Sequence, residues 1–470
     1  MKKIGLMCMA FLLVAGLAAP LWAAEITFHG DLNHRFQYSN QAGWLTGNQK
    51  GVVHDGDVNE WFGELKYRFW VEATTDEKAI KGVLGTEVGG LRFGETGKAP
   101  FSGDQIQFEV RWAYLDFQLP MVERSARFQV GLQPFSVNKY LWEETAGGVA
   151  FNSTFGDTMD YTLAWMRGAE YDKTAQNSDK DDDRTDLDAY LARLNIKPAD
   201  KLKAGAFVLY QGYDSDGNPS TMDSREYEVK LFPDAGDPLV DFSLWSLGVD
   251  GSFDVNNLFF AWDLIYQNGE FEDVTFTDFF STDSNSGDFD LNAYFIHLDA
   301  GIKLGDAKIK YTFWYASGDD DATDGDFNAY MATDVDISDS IVLMEGNYGD
   351  DNYFMETPYL ADKGFIMNRL GVDFAATEKT TVGGALLYMM TAEDIEYTAA
   401  ASGTSESNND IGWEIDLYVK HMLYKNLEVA FNFGYLLAGD ALDAYEEAAI
   451  QDGSSDEDIY IAAGRVRYTF

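Results

Sequence analysis

The chain has 470 residues, a formal net charge of −45 and a single cysteine, Cys8. A surface this acidic repels phosphate backbones, which excludes DNA and RNA as partners, and one cysteine excludes disulfides, thiolate metal sites and covalently held c-type haem. Beyond residue 24 no run approaches ~18 consecutive apolar residues, which excludes a transmembrane helix but not strands that offer lipid every second side chain.

Lys2 and Lys3 precede an apolar run at residues 4–17, and small residues follow at Leu21-Trp22-Ala23-Ala24. This is the layout of an export signal, expected over residues 1–24 with cleavage after Ala23 or Ala24. Cys8 falls inside it, so the folded part expected at 25–470 carries no thiol.

Strand periodicity begins at once. Ile26, Phe28, Leu32, Phe36 and Tyr38 alternate with Thr27, His29, Asp31, Asn33, Arg35 and Gln37. Trp61, Leu65, Tyr67, Phe69 and Val71 alternate with Glu60, Glu64, Lys66, Arg68 and Glu72. Further on, Trp413, Ile415, Leu417 and Val419 alternate with Glu414, Asp416, Tyr418 and Lys420, and the same pattern runs through Leu427 to Tyr435. In the last strand Tyr460, Ala462, Gly464, Val466, Tyr468 and Phe470 point one way, and Ala463, Arg465, Arg467 and Thr469 the other. A strand has a side-chain period of two, so one face is apolar and the other charged. That fits lipid outside and water inside.

The connections alternate between short and long. Short turns are expected near 74–78, 120–124, 154–157, 198–201, 254–257, 305–306, 377–379 and 424–426. Long polar segments are expected at 39–57, 94–104, 134–147, 168–185, 211–238, 269–287, 318–363, 393–410 and 439–457. The expected fold is therefore an all-β, antiparallel up-and-down transmembrane barrel of about 18 strands, between about 16 and 18, with short periplasmic turns and long extracellular loops. Closure is required, because lipid cannot hydrogen-bond an open strand edge.

Parity assigns charges to the interior: Arg35, Lys66, Arg68, Glu109, Arg111, Arg193, Lys303, Lys308, Lys310, Arg369, Glu414, Asp416, Lys420, Arg465 and Arg467. Opposed charges across a channel favour small polar solutes and tune ion preference, so the expectation is a water-filled lumen of mixed charge under an acidic mouth. The acids gather in the long segments, where a solvated outer surface competes with cation binding as the explanation. Asp214, Asp216 and Asn218 begin like a calcium loop, but Arg225 stands where the bidentate glutamate belongs. Asp319 and Asp321 belong to a second acidic run. Apart from Ca²⁺ or Mg²⁺ at such loops, no cofactor is expected.

Several segments carry a family resemblance. The last strand, with Tyr468 and Phe470, resembles the closing strand of bacterial outer-membrane barrels, whose final phenylalanine is read by the assembly machinery. Arg111-Trp112-Ala113-Tyr114-Leu115-Asp116-Phe117, followed by Phe128 to Phe135, resembles a hairpin of the Gram-negative porin superfamily. The resemblance implies that the next loop, 134–147, folds inward as a constriction bearing Pro134, Lys139, Glu143 and Glu144. Residues 311–326 are locally similar to alginate-export-type barrels, which does not by itself imply polysaccharide export. The expected function is a porin-like outer-membrane channel for passive diffusion of small hydrophilic solutes or ions, set in lipid and lipopolysaccharide, with monomer and homotrimer both open. The alternatives are a surface or structural protein (an adhesin, or the sleeve of an electron-transfer complex) and a substrate-specific barrel, for instance for anionic saccharides. No enzyme is expected: the five histidines are dispersed, and no Gly-x-Ser-x-Gly, His-Glu-x-x-His or phosphate-loop motif is present.

Overall fold

The computed structural model describes residues 24–40, 59–75, 77–94, 106, 108–169, 187–213, 220–223, 241–277, 284–321, 323–333, 335, 337–343, 361–399, 403–444 and 458–470. The export signal expected at 1–24 thus lies, apart from Ala24, outside the described residues. Strands β1 (Ala24–Ser39), β2 (Glu60–Thr75), β3 (Ile80–Arg92), β4 (Glu109–Gln118), β5 (Ala126–Asn138), β6 (Trp142–Phe155) and β7 (Met159–Ala169) come first. Next are β8 (Leu187–Ala199), β9 (Leu202–Tyr213), β10 (Ser220–Asp223), β11 (Asp241–Val255), β12 (Leu258–Thr277), β13 (Ser284–Leu304) and β14 (Ala307–Ala316). The chain finishes with β15 (Asp326–Phe327), β16 (Phe365–Thr377), β17 (Thr380–Ala399), β18 (Thr404–Tyr424), β19 (Leu427–Ala438) and β20 (Ile459–Thr469).

Eighteen of these form one closed antiparallel barrel. The seam joins β1 to β20, from Asp31↔Thr469 to Ser39↔Ile461. The short β10 and β15 lie outside that meander and add in parallel to β12 and β13. An even number of antiparallel strands closes without leaving an edge, as a lipid environment demands.

Alternation sorts the two faces. Phe28, Phe69, Leu84, Leu370 and Leu417 are 40–62% exposed, whereas Asn33, Arg35, Lys66, Gln267, His297 and Glu414 are at most 9% exposed. Apolar rows outside and polar groups inside invert the order of a water-soluble protein, and each exposed row would cost about 25 cal/mol per Å² in water. Ring pairs Tyr38–Tyr460, Tyr388–Trp413, Tyr266–Tyr294 and Tyr210–Trp245 lie on the outer surface. Such amphipathic rings favour the boundary between lipid and water.

All eight short turns fall where the sequence places them, but three long segments are shorter than expected. Strands β12 and β13 run to Thr277 and from Ser284, and β17 and β18 run to Ala399 and from Thr404. Beyond the membrane both faces of these strands lose lipid contact, so the two-residue alternation that marks a strand fades. The segment 134–147 is the larger correction. β5 continues through Asn138 and β6 starts at Trp142, leaving a tip of only Lys139, Tyr140 and Leu141. Pairing to β4 stops at Leu132 and pairing to β7 stops at Gly147, so 133–146 is a hairpin detached from the wall. There β5 lacks its second neighbour, which is why it tolerates Pro134.

This hairpin reaches into the barrel and meets residues 327–333 and 337–343, which also turn inward. Thr333 N–H donates to Leu141 O (2.7 Å), and the Tyr330 hydroxyl donates to Tyr140 O (2.8 Å). Tyr140, Leu141 and Trp142 bury fully with Phe327, Tyr330, Met331, Ile337 and Leu343. Their other side rests on Leu191, Leu209, Leu244, Phe295, Trp314, Met367 and Leu387, all inward-facing. From β6 to β18 the half of the interior nearest the long loops is therefore an apolar core, not the polar lumen expected all round.

Candidate functional site

Outside that apolar mass the inner wall is polar. Strands β19, β20, β1, β2, β3 and β4 form one continuous sector in which cross-strand neighbours carry charge. Arg35 stands opposite Glu64, Asp31 opposite Arg68, and Arg68 opposite Glu87. Residues so paired lie roughly 4.5–5.5 Å apart on one face, close enough for side chains to meet. Arg35 binds Glu64 (2.7 Å), Arg465 binds Glu428 (2.6 Å), and Arg467 Nε donates to Asp31 (2.8 Å). Arg35 and Arg465 are themselves register partners. Each like charge is thus held to its own carboxylate.

The densest cluster surrounds Glu87 on β3. Its carboxylate meets Arg68 Nε at 2.6 Å, Arg111 Nη1 at 2.9 Å and Lys66 Nζ at 3.5 Å. Arg111 also binds Glu144 of the detached hairpin at 2.8 Å, tying that hairpin to the polar sector. Just below, Trp70 stacks on His29 and meets Trp112 edge-on.

Other residues that parity points inward do different work. Arg193 binds Asp250 (2.7 Å) and donates to Val137 O (2.8 Å), supporting the hairpin from beneath. Asn138 donates to Asp263 (2.7 Å), which also meets His297, and His297 lies between Asp263 and Asp299. Lys310 binds Asp299 (3.0 Å). Lys303 and Lys308 sit over the Phe259 ring, and Lys420 over the Tyr418 ring.

Glu414 is fully buried and accepts from Ile341 N–H (2.8 Å), Val342 N–H (2.9 Å) and the Ser340 hydroxyl (2.7 Å). Arg369 donates to Asp339 O (2.9 Å). Asp416, buried beside Glu414, keeps one oxygen without a hydrogen bond. Arg193, Arg369 and Glu414 therefore anchor the inner segments. Glu109 faces inward as the register partner of Glu87.

On the hairpin, Pro134, Lys139 and Glu143 are exposed, and Glu144 is half-buried against Arg111. The apolar face that reaches the far wall, including Tyr140 and Trp142, was not anticipated from the sequence. Neither was Glu87, although counting by twos from the outward Leu84 puts it inside. Tyr468 and Phe470 point outward beside Phe69.

The candidate cation ligands Asp214, Asp216 and Asn218 lie outside the described residues. Asp319 is buried and accepts from Asn328 N–H (3.0 Å), and loss of water raises its carboxyl to about 6. Asp321 instead turns to Thr323, accepting from its N–H (2.9 Å) and hydroxyl (2.6 Å), contacts that hold its carboxyl below the usual range. Among the described residues no group of three or more His, Cys, Asp or Glu is placed to hold a metal ion.

The fold is similar to solved structures. OccK8 (OprE) of Pseudomonas aeruginosa aligns over 95% of this chain and 98% of its own, with a TM-score of 0.52 and 9% identity. OpdQ of the same organism aligns over 95% and 98%, with a TM-score of 0.48 and 12% identity. OccAB4 of Acinetobacter baumannii aligns over 96% and 99%, with a TM-score of 0.48 and 10% identity. No protein-family model matches the chain, and no curated protein matches it in sequence. At this identity the likeness is one of fold alone, a closed antiparallel β-barrel of eighteen strands.

Proposed function

Starting from that fold, we propose that the chain is a channel through which small hydrophilic solutes cross the outer membrane by passive diffusion, along the polar sector. The observation that carries this reading is the contrast between the two parts of the interior. Apolar side chains fill the loop-side half from β6 to β18 and reach Leu436 of β19 and Ile459 of β20, while charged residues line β19 through β4 below that level and rise to the Arg35–Glu64 pair on β1 and β2. A charged wall left facing an apolar filling would be costly unless water reached it. Water along that wall is a path for solutes of similar polarity, and apolar compounds gain nothing from it.

Catalysis is not part of the proposal. His29 stacks on Trp70, His34 bonds Tyr67, His297 lies between two aspartates and His421 bonds Thr380, so the described histidines work apart. Reconstitution in a planar bilayer tests the reading: it predicts steps of ohmic current. A folded protein that never conducts would overturn it in favour of a structural barrel.

A further inference from the structure

We infer that Glu87 sets the ion preference of the polar sector: it is the shared counter-charge of Lys66, Arg68 and Arg111, placed there by a dedicated β-bulge. The inference rests on the channel proposed above.

Three cations from two neighbouring strands converge on this one carboxylate, at 3.5, 2.6 and 2.9 Å. The other pairs in the sector are simpler, as with Glu428 on Arg465 and Glu64 on Arg35. Whatever other partners the three cations have, neutralising Glu87 makes this patch of wall one charge more positive. The change falls where cations are densest, and beside the hairpin that Arg111 ties to the wall through Glu144. Charge in a confined wall acts on ions nearby with little screening, so such a position weighs heavily on selectivity.

The backbone is shaped for this placement. Opposite Lys66 the β2–β3 register slips, passing from Leu65↔Leu91 to Tyr67↔Val88, so Gly89 and Gly90 together oppose one residue. Gly90 takes φ +59°, a conformation open to glycine. Gly89 has another reason to be glycine: a Cβ there would lie 2.6 Å from Glu87 Oε1. A bulge of this kind bends the strand and re-aims a neighbouring side chain, here letting the carboxylate fold back toward Lys66.

Two variants separate charge from placement. Glu87→Gln removes the charge; Gly89→Ala keeps it but pushes the carboxylate out of its seat. Each is reconstituted in a planar bilayer under a KCl gradient, next to wild type and Glu428→Gln, after retained heat-modifiable gel mobility confirms a folded barrel. Both Glu87→Gln and Gly89→Ala are expected to move the reversal potential toward chloride, with the chloride-to-potassium permeability ratio rising roughly twofold to fivefold for Glu87→Gln. Glu428→Gln is expected to move it less. A conducting Glu87→Gln with the wild-type reversal potential overturns the inference and leaves the channel standing, as does an equal shift in Glu428→Gln. If Glu87→Gln does not fold, Gly89→Ala decides by the same criterion. Wild-type protein that carries no current overturns the channel and this inference together.

Discussion

Phe470 lies across Gly30 at the seam of the barrel, where the two residues exchange backbone hydrogen bonds of 2.9 and 3.0 Å. The Phe470 ring occupies the space a Gly30 Cβ would need and also meets Tyr468 and Phe69. Gly30→Ala should push the ring off the seam and destabilise the barrel by about 1–3 kcal/mol, the usual cost of overpacking. Gly82→Ala, where an added Cβ has nothing within 4 Å, should be close to neutral. Urea unfolding followed by heat-modifiable mobility compares the two; equal midpoints would mean that the ring does not bear on closure.

The attachment of residues 339–343 to Glu414 makes a second prediction. Glu414→Ala leaves two backbone N–H groups and a hydroxyl without their acceptor in a buried site, at about 1–3 kcal/mol each. The inner segment should come away while the barrel stays closed. Single-channel conductance is expected to rise with added noise, and limited proteolysis should cut near 339–343. Glu414→Gln retains an acceptor oxygen and should fall between wild type and Ala.

The hairpin tip offers a third. Trp142 is buried against Phe135, with ring centroids 4.7 Å apart. Trp142→Ala should cost about 3–5 kcal/mol of local packing and free the hairpin from residues 327–333 and 337–343. Lys139→Ala should be mild, because that side chain is exposed at the tip. Hydrogen exchange of the amides at 136–142 distinguishes them, with faster exchange expected only in Trp142→Ala.

Acidity should tighten the inner segment. Burial raises Asp319 from the usual carboxylate range to about 6, so between roughly pH 4 and 6 the native state binds a proton that the detached segment releases. The segment is held best at the acidic end and loses up to about 3 kcal/mol as pH rises through that window, with no further change from this group above it. Exchange protection at 317–333 should therefore be higher at pH 5 than at pH 7.5. Asp319→Asn should flatten the difference; an unchanged slope in that variant would assign it to another group.

How much the sequence reveals depends on what each face touches. In β2 and β20 one face meets lipid and the other charged groups, so Tyr67 and Phe69 against Lys66 and Arg68 fix both strand and orientation. The eight turns and the eighteen-strand barrel follow from that contrast. The hairpin at 133–146 meets no lipid: Phe135 and Val137 alternate with exposed Pro134 and Ser136 as a wall strand would, so the sequence does not show that their buried face serves an inner core. The same inner core explains β13, where Ala293, Tyr294, Phe295 and Ile296 are apolar on both faces. Such runs are the one trace of the filled interior in the sequence. Glu87 was missed for a different reason: its importance lies in three partners brought by two other strands and in the bulge at Gly89 and Gly90.

The bond from Arg467 to Asp31 joins residues 436 positions apart. Two of the six strands of the charged sector are β1 and β20, strands made first and last, so the wall is finished only when those two meet. A partly zipped intermediate therefore holds its guanidinium and carboxylate groups on separate edges, with no continuous conduit between the two sides of the membrane. If the barrel conducts as proposed, permeation and closure are acquired in one step, and a cell inserting it is spared a leak along the way.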